Sequence, residues 1–151
     1  IKKEYNINLE DLLNVRSFLD HNRIYKEPIK NNSHKSNSKC SFAFRGKRIK
    51  NEDLCQNLYE HFSNWKPYLK KYGLLIVELH SIDPNKTKTS LGKNSMTAYD
   101  ATHGYSDQYI IEYENFLFEA KRAGLVPDKK HEHLFPSKEI PIVSVNRLIC
   151  K

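Results

Sequence analysis

The 151-residue chain reads as an α/β domain: an open sheet of parallel strands with a closing antiparallel strand, and helices on its faces. Three observations predict this. Apolar runs at 15–19, 74–80 and 140–149 alternate with two stretches, 54–72 and 110–120, whose apolar residues recur at three- and four-residue steps. The resulting order, strand, helix, strand, helix, strand, belongs to sheets that bind ligands at the carboxyl ends of their strands. Chemically capable side chains follow the first two runs directly: Asp20, His21, Asn22 and Arg23 after one, Glu78 and His80 at the end of the other.

Taken in order, residues 9–13 allow a short helix with Asn8 as its cap. The run 15–19 is the first strand, and the polar stretch 20–23 after it is either a charged turn or the rim of a site. Residues 41–44 form one arm of a small hairpin, with Gly46 in its turn and 47–49 on the return. Asn51 is expected to cap a helix of about six turns, carrying Leu54, Leu58, Phe62, Trp65, Leu69 and Tyr72 on one stripe. Pro67 should bend that helix and Gly73 should stop it. The aromatic stripe is core packing rather than a cofactor box.

The run 74–80 reads as a central parallel strand buried on both faces. Residues 81–104 form a long loop, whose end at 99–105 concentrates polar side chains and which is expected to cover a site. Ser106 is expected to cap a second helix, with Ile110, Tyr113, Leu117 and Ala120 inward and Gly124 at its stop. The run 140–149 is a strand read as antiparallel and near an edge, because Pro141 cannot donate to a ladder. The glycines form no GxGxxG or GxxxxGK[ST] loop. Three strands alone leave an edge unpaired. The chain also begins at Ile1, and together these features predict that an N-terminal half of the domain is absent.

Composition narrows the class. An apolar content of 38%, with 11% aromatic residues, fills a core. No run of 18 uninterrupted apolar residues occurs, so no transmembrane helix is expected. Three widely spaced cysteines without a CxxC pair argue against a disulfide framework or zinc knuckle and for a reducing, cytoplasmic setting. The net charge of +7 is local. Residues 23–50 hold nine Lys or Arg against one acid, Glu27. Within that segment 31–39 is polar low-complexity sequence, and 24–41 reads as a flexible basic loop.

The stretches VRSFLDHNR (15–23), FAFRGKRIKNEDLCQNLYEHFSNWKPYLKKYGLLIVELH (42–80) and TAYDATHGYSDQYIIEYENFLFEAKRAGL (97–125) together resemble class I S-adenosylmethionine-dependent methyltransferases. More narrowly, they are similar to the methyltransferase domains of polyketide synthase loading modules of the apratoxin type. The resemblance covers about two-thirds of the chain and matches the C-terminal half of that Rossmann-like family. It implies that residues 1–151 are one part of a methyltransferase domain, with 15–19 and 74–80 as its fourth and fifth strands and a closing antiparallel hairpin in the tail. The glycine-rich turn and the acidic ribose clamp would lie upstream.

The implied reaction is C-methylation of a malonyl-type acyl thioester on the phosphopantetheine arm of an acyl carrier protein. The resemblance also implies S-adenosylmethionine as donor, and in some relatives an iron or manganese ion. On this reading His80 is the candidate base, and His21 a further catalytic group. Arg23 pairs with a substrate carboxylate, and Tyr105 donates to the enolate oxygen. Asp20 and Asn22 contact the donor. Asp20, His21, His103 and Gln108 are ligand types that suit an ion, the last three being the preferred set, with Gln108 expected on the first turn of the second helix. His61, His131 and His133 are read as surface or turn residues. The basic segment would steer an acidic carrier protein towards the site. Two other readings stay open: a nucleic-acid-binding module using residues 23–50, which explains only the charge, and a non-catalytic interaction remnant.

Overall fold

A computed structural model describes residues 1–29, 34–92 and 106–151. Helix α1 (Lys2–Tyr5) and a 3-10 turn (Leu9–Asp11) lead into strand β1 (Asn14–Ser17). Strands β2 (Phe42–Phe44) and β3 (Lys47–Ile49) form a separate hairpin. Its two-residue turn places Arg45 at φ 49° and Gly46 at φ 75°, the left-handed pair that matches strand twist. Helix α2 (Asn51–Trp65) precedes β4 (Leu74–Leu79), and the short α3 (Pro84–Thr87) follows it. Helix α4 (Tyr113–Arg122) leads to β5 (Leu125–Pro136) and β6 (Pro141–Cys150).

The main sheet has the order β1-β4-β6-β5. Strands β1 and β4 are parallel, with Val15 opposite Leu75, whereas β6 runs antiparallel to β4 and to β5. This is the expected mixed α/β sheet: a parallel pair closed by an antiparallel hairpin. Helices α2 and α4 cover one face, where Phe62 meets Phe116 edge-to-face at 5.3 Å. Burial along β4 alternates. Leu74, Ile76 and Glu78 are buried under the helices, while Leu75, Val77 and Leu79 are only half-buried. The strand is central but is not enclosed on both faces among the described residues.

Several expectations change in detail. Asn51 is the first helical residue rather than the cap, and its amide donates to the carbonyls of Ser38 and Cys40 at 2.8 and 2.9 Å. Helix α2 stops at Trp65 and passes into a 3-10 turn, Lys66–Tyr68, because Pro67 has no N–H to continue the α-helical ladder. Helix α4 starts at Tyr113, not at Ser106. Tyr109, Ile110 and Ile111 are all essentially fully buried, and three consecutive residues cannot all face one side of a helix. They run instead as an extended segment across the carboxyl edge of the sheet, where Tyr109 N–H donates to the His21 carbonyl and Ser81 N–H to the Ile111 carbonyl. Gln108 therefore lies in that segment and not on a helical turn.

Strand β6 is interior, between β4 and β5. Pro141 is tolerated as its first residue, and the edge falls to β5. The basic segment has no regular structure over 24–29 and 34–41, yet these parts are tied down. The Asn57 amide donates to the Lys26 carbonyl at 2.8 Å, and Ser38 Oγ donates to Glu112 at 2.8 Å.

Candidate active site

The carboxyl ends of β1 and β4 lie side by side, and a turn after each brings polar groups to one point. Phe18 adopts φ 54° and donates its N–H to the Val77 carbonyl, which swings residues 20–23 back over the sheet edge. Glu78, the last inward-facing residue of β4, receives them. One carboxylate oxygen, Oε2, accepts the N–H of Asp20 at 2.9 Å and of His21 at 3.2 Å. The other, Oε1, lies 2.5 Å from His21 Nδ1 and also accepts the N–H of Leu79 at 2.7 Å. An ionised carboxylate only accepts, so Nδ1 carries the proton and His21 Nε2 keeps its lone pair. That nitrogen faces the exposed Asn22 amide at 2.9 Å.

Arg23 is buried beside this pair. Its Nε donates to Asn57 Oδ1 at 2.7 Å and Nη1 to the Asp20 carbonyl at 2.8 Å. Burial lowers its pKa to about 10 against the pull of Asp20 and Glu78, so it stays charged at neutrality. With those nitrogens engaged inside the protein, its visible role is to compensate the buried carboxylates rather than to receive a substrate carboxylate. Asp20 is also turned inward: Oδ1 lies 2.7 Å from His61 Nε2 and 3.2 Å from the Arg16 guanidinium. A small cavity of about 10 Å³ remains, lined by Asp20, His21, Arg23, Glu78, Tyr109 and Ile111 among others, which is room for about one water.

His80 does not join this group. Its ring is fully buried, with Nδ1 3.3 Å from the Ile111 carbonyl and Nε2 2.7 Å from Ser144 Oγ. It packs edge-on against Tyr113 and Phe116. Desolvation pulls its pKa down to about 3, which keeps it neutral. This geometry makes His80 part of the core between sheet and α4, and gives it no route to act as a base. Tyr105 and His103 lie outside the described residues. Gln108 is half-buried one residue before Tyr109.

Two site residues were given no role by the sequence reading. Glu78 was visible only as an acid inside an apolar strand, a rare placement that marks a paired group. His61 was read as surface, yet Asn57 and His61 are one helical turn apart and border the Leu54, Leu58 and Phe62 stripe. Both meet the 20–23 turn.

The fit to the expected ligands is partial. Among the described residues, no group of three or more His, Cys, Asp or Glu side chains is placed to hold a metal ion. Nor do those residues cradle a methyl donor by themselves, since Asp20 is buried with its Oδ1 held by His61 and Arg16, and Asn22 alone of the two expected contacts is exposed. No helix among them is long and apolar enough to cross a membrane.

No curated protein matches the chain. The family description that does match, the AprA MT2-like domain, extends over residues 1–146. A parallel strand pair with its polar cluster at the carboxyl ends, closed by an antiparallel hairpin, is what a part of such a fold requires. The chain therefore belongs to the AprA MT2-like domain family, the methyltransferase-like domains of apratoxin-type polyketide synthases.

Proposed function

We propose that this chain provides the acceptor side of an S-adenosylmethionine-dependent C-methyltransferase acting on a carrier-bound malonyl-type acyl thioester in polyketide biosynthesis. The observation that carries the reading is the His21–Glu78 pair at the ends of the two parallel strands. Glu78 fixes the Nδ1–H tautomer and supports positive charge on the ring, so His21 Nε2 is the atom that takes a proton from the acidic α-carbon. Asn22, exposed and bonded to that nitrogen, yields it to substrate. When bound, the donor supplies an electrophilic sulfonium methyl group; no step is assigned to a metal ion.

Support for a separate donor-binding half comes from the open side of the sheet. Val15 on β1 is 59% exposed, and among the described strands β1 pairs only with β4. A preceding half of the domain would pair with that edge and cover that face. The three unpaired thiols agree with a reducing, cytoplasmic setting.

The partner proposed for the basic segment is the acidic carrier protein. Lys47, Arg48 and Lys50 are exposed and make no ion pair among the described residues, whereas Lys39 is held by Asp83. The same cations would serve a nucleic-acid module, but that reading leaves the His21–Glu78 pair unused. The test is to incubate the full-length protein with methyl-labelled S-adenosylmethionine and a malonyl thioester. Label is expected on carbon in the wild type and lost in His21→Gln; no labelled product from the wild type overturns the proposal.

A further inference from the structure

Asn57, His61 and Trp65 follow one another at four-residue steps along α2, so they share one stripe of that helix. The stripe meets β1 and the turn after it at three points. Asn57 Oδ1 accepts from Arg23 Nε at 2.7 Å, and His61 Nε2 lies 2.7 Å from Asp20 Oδ1. The Arg16 guanidinium stands 4.7 Å from the Trp65 ring centre and reaches the same Asp20 oxygen at 3.2 Å. Asn57 also donates its amide to the Lys26 carbonyl at 2.8 Å, which ties down the chain as it leaves the turn.

The turn depends on such outside support. The backbone bond across it, from the Arg23 N–H to the Asp20 carbonyl, is 3.4 Å long, beyond the usual range for an N–H donor. Glu78 holds His21 from the sheet side, through the backbone N–H and Nδ1. From the helix side, His61 holds Asp20, just before His21, and Asn57 holds Arg23, two residues after it. An ionised Asp20 only accepts, so His61 Nε2 carries the proton in that contact. A group that takes a proton from carbon must stay within hydrogen-bond reach of it, and a misplacement of about 1 Å is costly.

We infer that Asn57 and His61 are positioning residues for His21. By gripping Arg23 and Asp20 they fix the turn, so that His21 Nδ1 keeps its bond to Glu78 and Nε2 is presented in one place. The catalytic consequence rests on the proposed role of His21 as base; the grip on its ring is read separately.

The test uses the full chain labelled with ¹⁵N in the histidine rings, the His21 signals being assigned by their loss in His21→Gln. In the wild type they are expected to report a proton on Nδ1 and none on Nε2. In His61→Leu and in Asn57→Ala they should move towards the average of the two tautomers, because a ring released from Glu78 exchanges between them. The His61 side chain is 20% exposed, so leucine fits there without entering the core. His61→Gln places an amide donor near Asp20 and should restore the wild-type signals. Ser63→Ala removes a bond to the Tyr59 carbonyl inside α2 and should leave them unchanged. In methyl transfer, His61→Leu and Asn57→Ala should lower kcat about tenfold or more with KM unchanged. His21 signals that stay fixed in both variants overturn the inference, and so does a His61→Gln protein that behaves like His61→Leu. If the signals move as expected while the wild type transfers no methyl group, the positioning role stands and only the methyl-transfer proposal falls.

Discussion

His21 Nδ1 and Glu78 Oε1 meet at 2.5 Å although 57 residues separate them in the chain, and neither Glu78 oxygen is left for any other kind of partner. Both accept only from N–H groups: Asp20 and His21 on one, Leu79 and His21 Nδ1 on the other. Glu78→Gln therefore sets an amide N–H against a donor in either orientation. The expected result is a stability loss of about 1–3 kcal/mol together with a methyl-transfer rate reduced about 10²-fold. Thermal melting and single-turnover rates on the same variant check it. Retained activity in a folded Glu78→Gln protein would remove the base assignment from His21.

His80 gives a pH dependence of known sign. Its folded pKa, about 3, lies below the usual histidine value near 6.5, so below that value the unfolded chain binds a proton that the folded chain refuses. Stability contributed by the neutral ring is present above pH 6.5 and declines as pH falls towards 3, at about 1.4 kcal/mol per pH unit for this one group. His80→Gln should start less stable at pH 7, having lost the bonds to Ser144 and Ile111, yet show a shallower acid decline. Urea unfolding at pH 7, 6 and 5 measures the difference; parallel pH curves for the two proteins would contradict it.

Much of the fold was legible because it follows from short-range pattern. The strands at 14–17 and 74–79, the hairpin turn at Gly46 and the stop at Gly73 all announce themselves within a few residues. Strand β5 did not. It carries Pro127, Pro136 and the charged run between them, and its middle is exposed at a bulged sheet edge, where no apolar alternation is required. The start of α4 was misplaced because Tyr109, Ile110 and Ile111 read equally well as helix stripe or buried extended chain. In the site, the 20–23 cluster could be seen, but not its organiser. Local pattern showed Glu78 as an oddity and His61 as a surface residue, since what makes them functional is contact with a turn some 40 to 60 positions away.

Gly73 and Gly46 share nearly the same backbone angle, φ 77° and 75°, but differ in surroundings. A Cβ on Gly73 would lie 2.4 Å from the Leu148 carbonyl oxygen in β6, whereas one on Gly46 would meet nothing within 4 Å. Gly46→Ala should therefore cost only the left-handed backbone strain, about 1 kcal/mol. Gly73→Ala adds a clash with backbone that cannot move without disturbing the β4–β6 ladder, and is expected to cost about 3 kcal/mol or more. Chemical denaturation of the two variants side by side decides it, and equal losses would refute the proposed close approach.

Charge reversal on β3 separates docking from folding. Lys47 and Arg48 lie on that strand and Lys50 just beyond it, all three exposed and without an ion-pair partner among the described residues. The triple variant Lys47→Glu, Arg48→Glu, Lys50→Glu thus breaks no side-chain bond among the described residues, and its stability should stay within about 0.5 kcal/mol of wild type. If these cations steer an acidic carrier protein, association slows about tenfold or more at low salt, and the gap closes as salt screens both proteins. Lys39→Glu is a poor substitute, because it also removes the 2.6 Å bond to Asp83. Stopped-flow association with an acyl carrier protein at low and high salt is the measurement. Equal rates for wild type and triple variant would show that the patch serves another partner, and tight salt-dependent capture of duplex DNA or RNA by the wild type alone would identify that partner as nucleic acid.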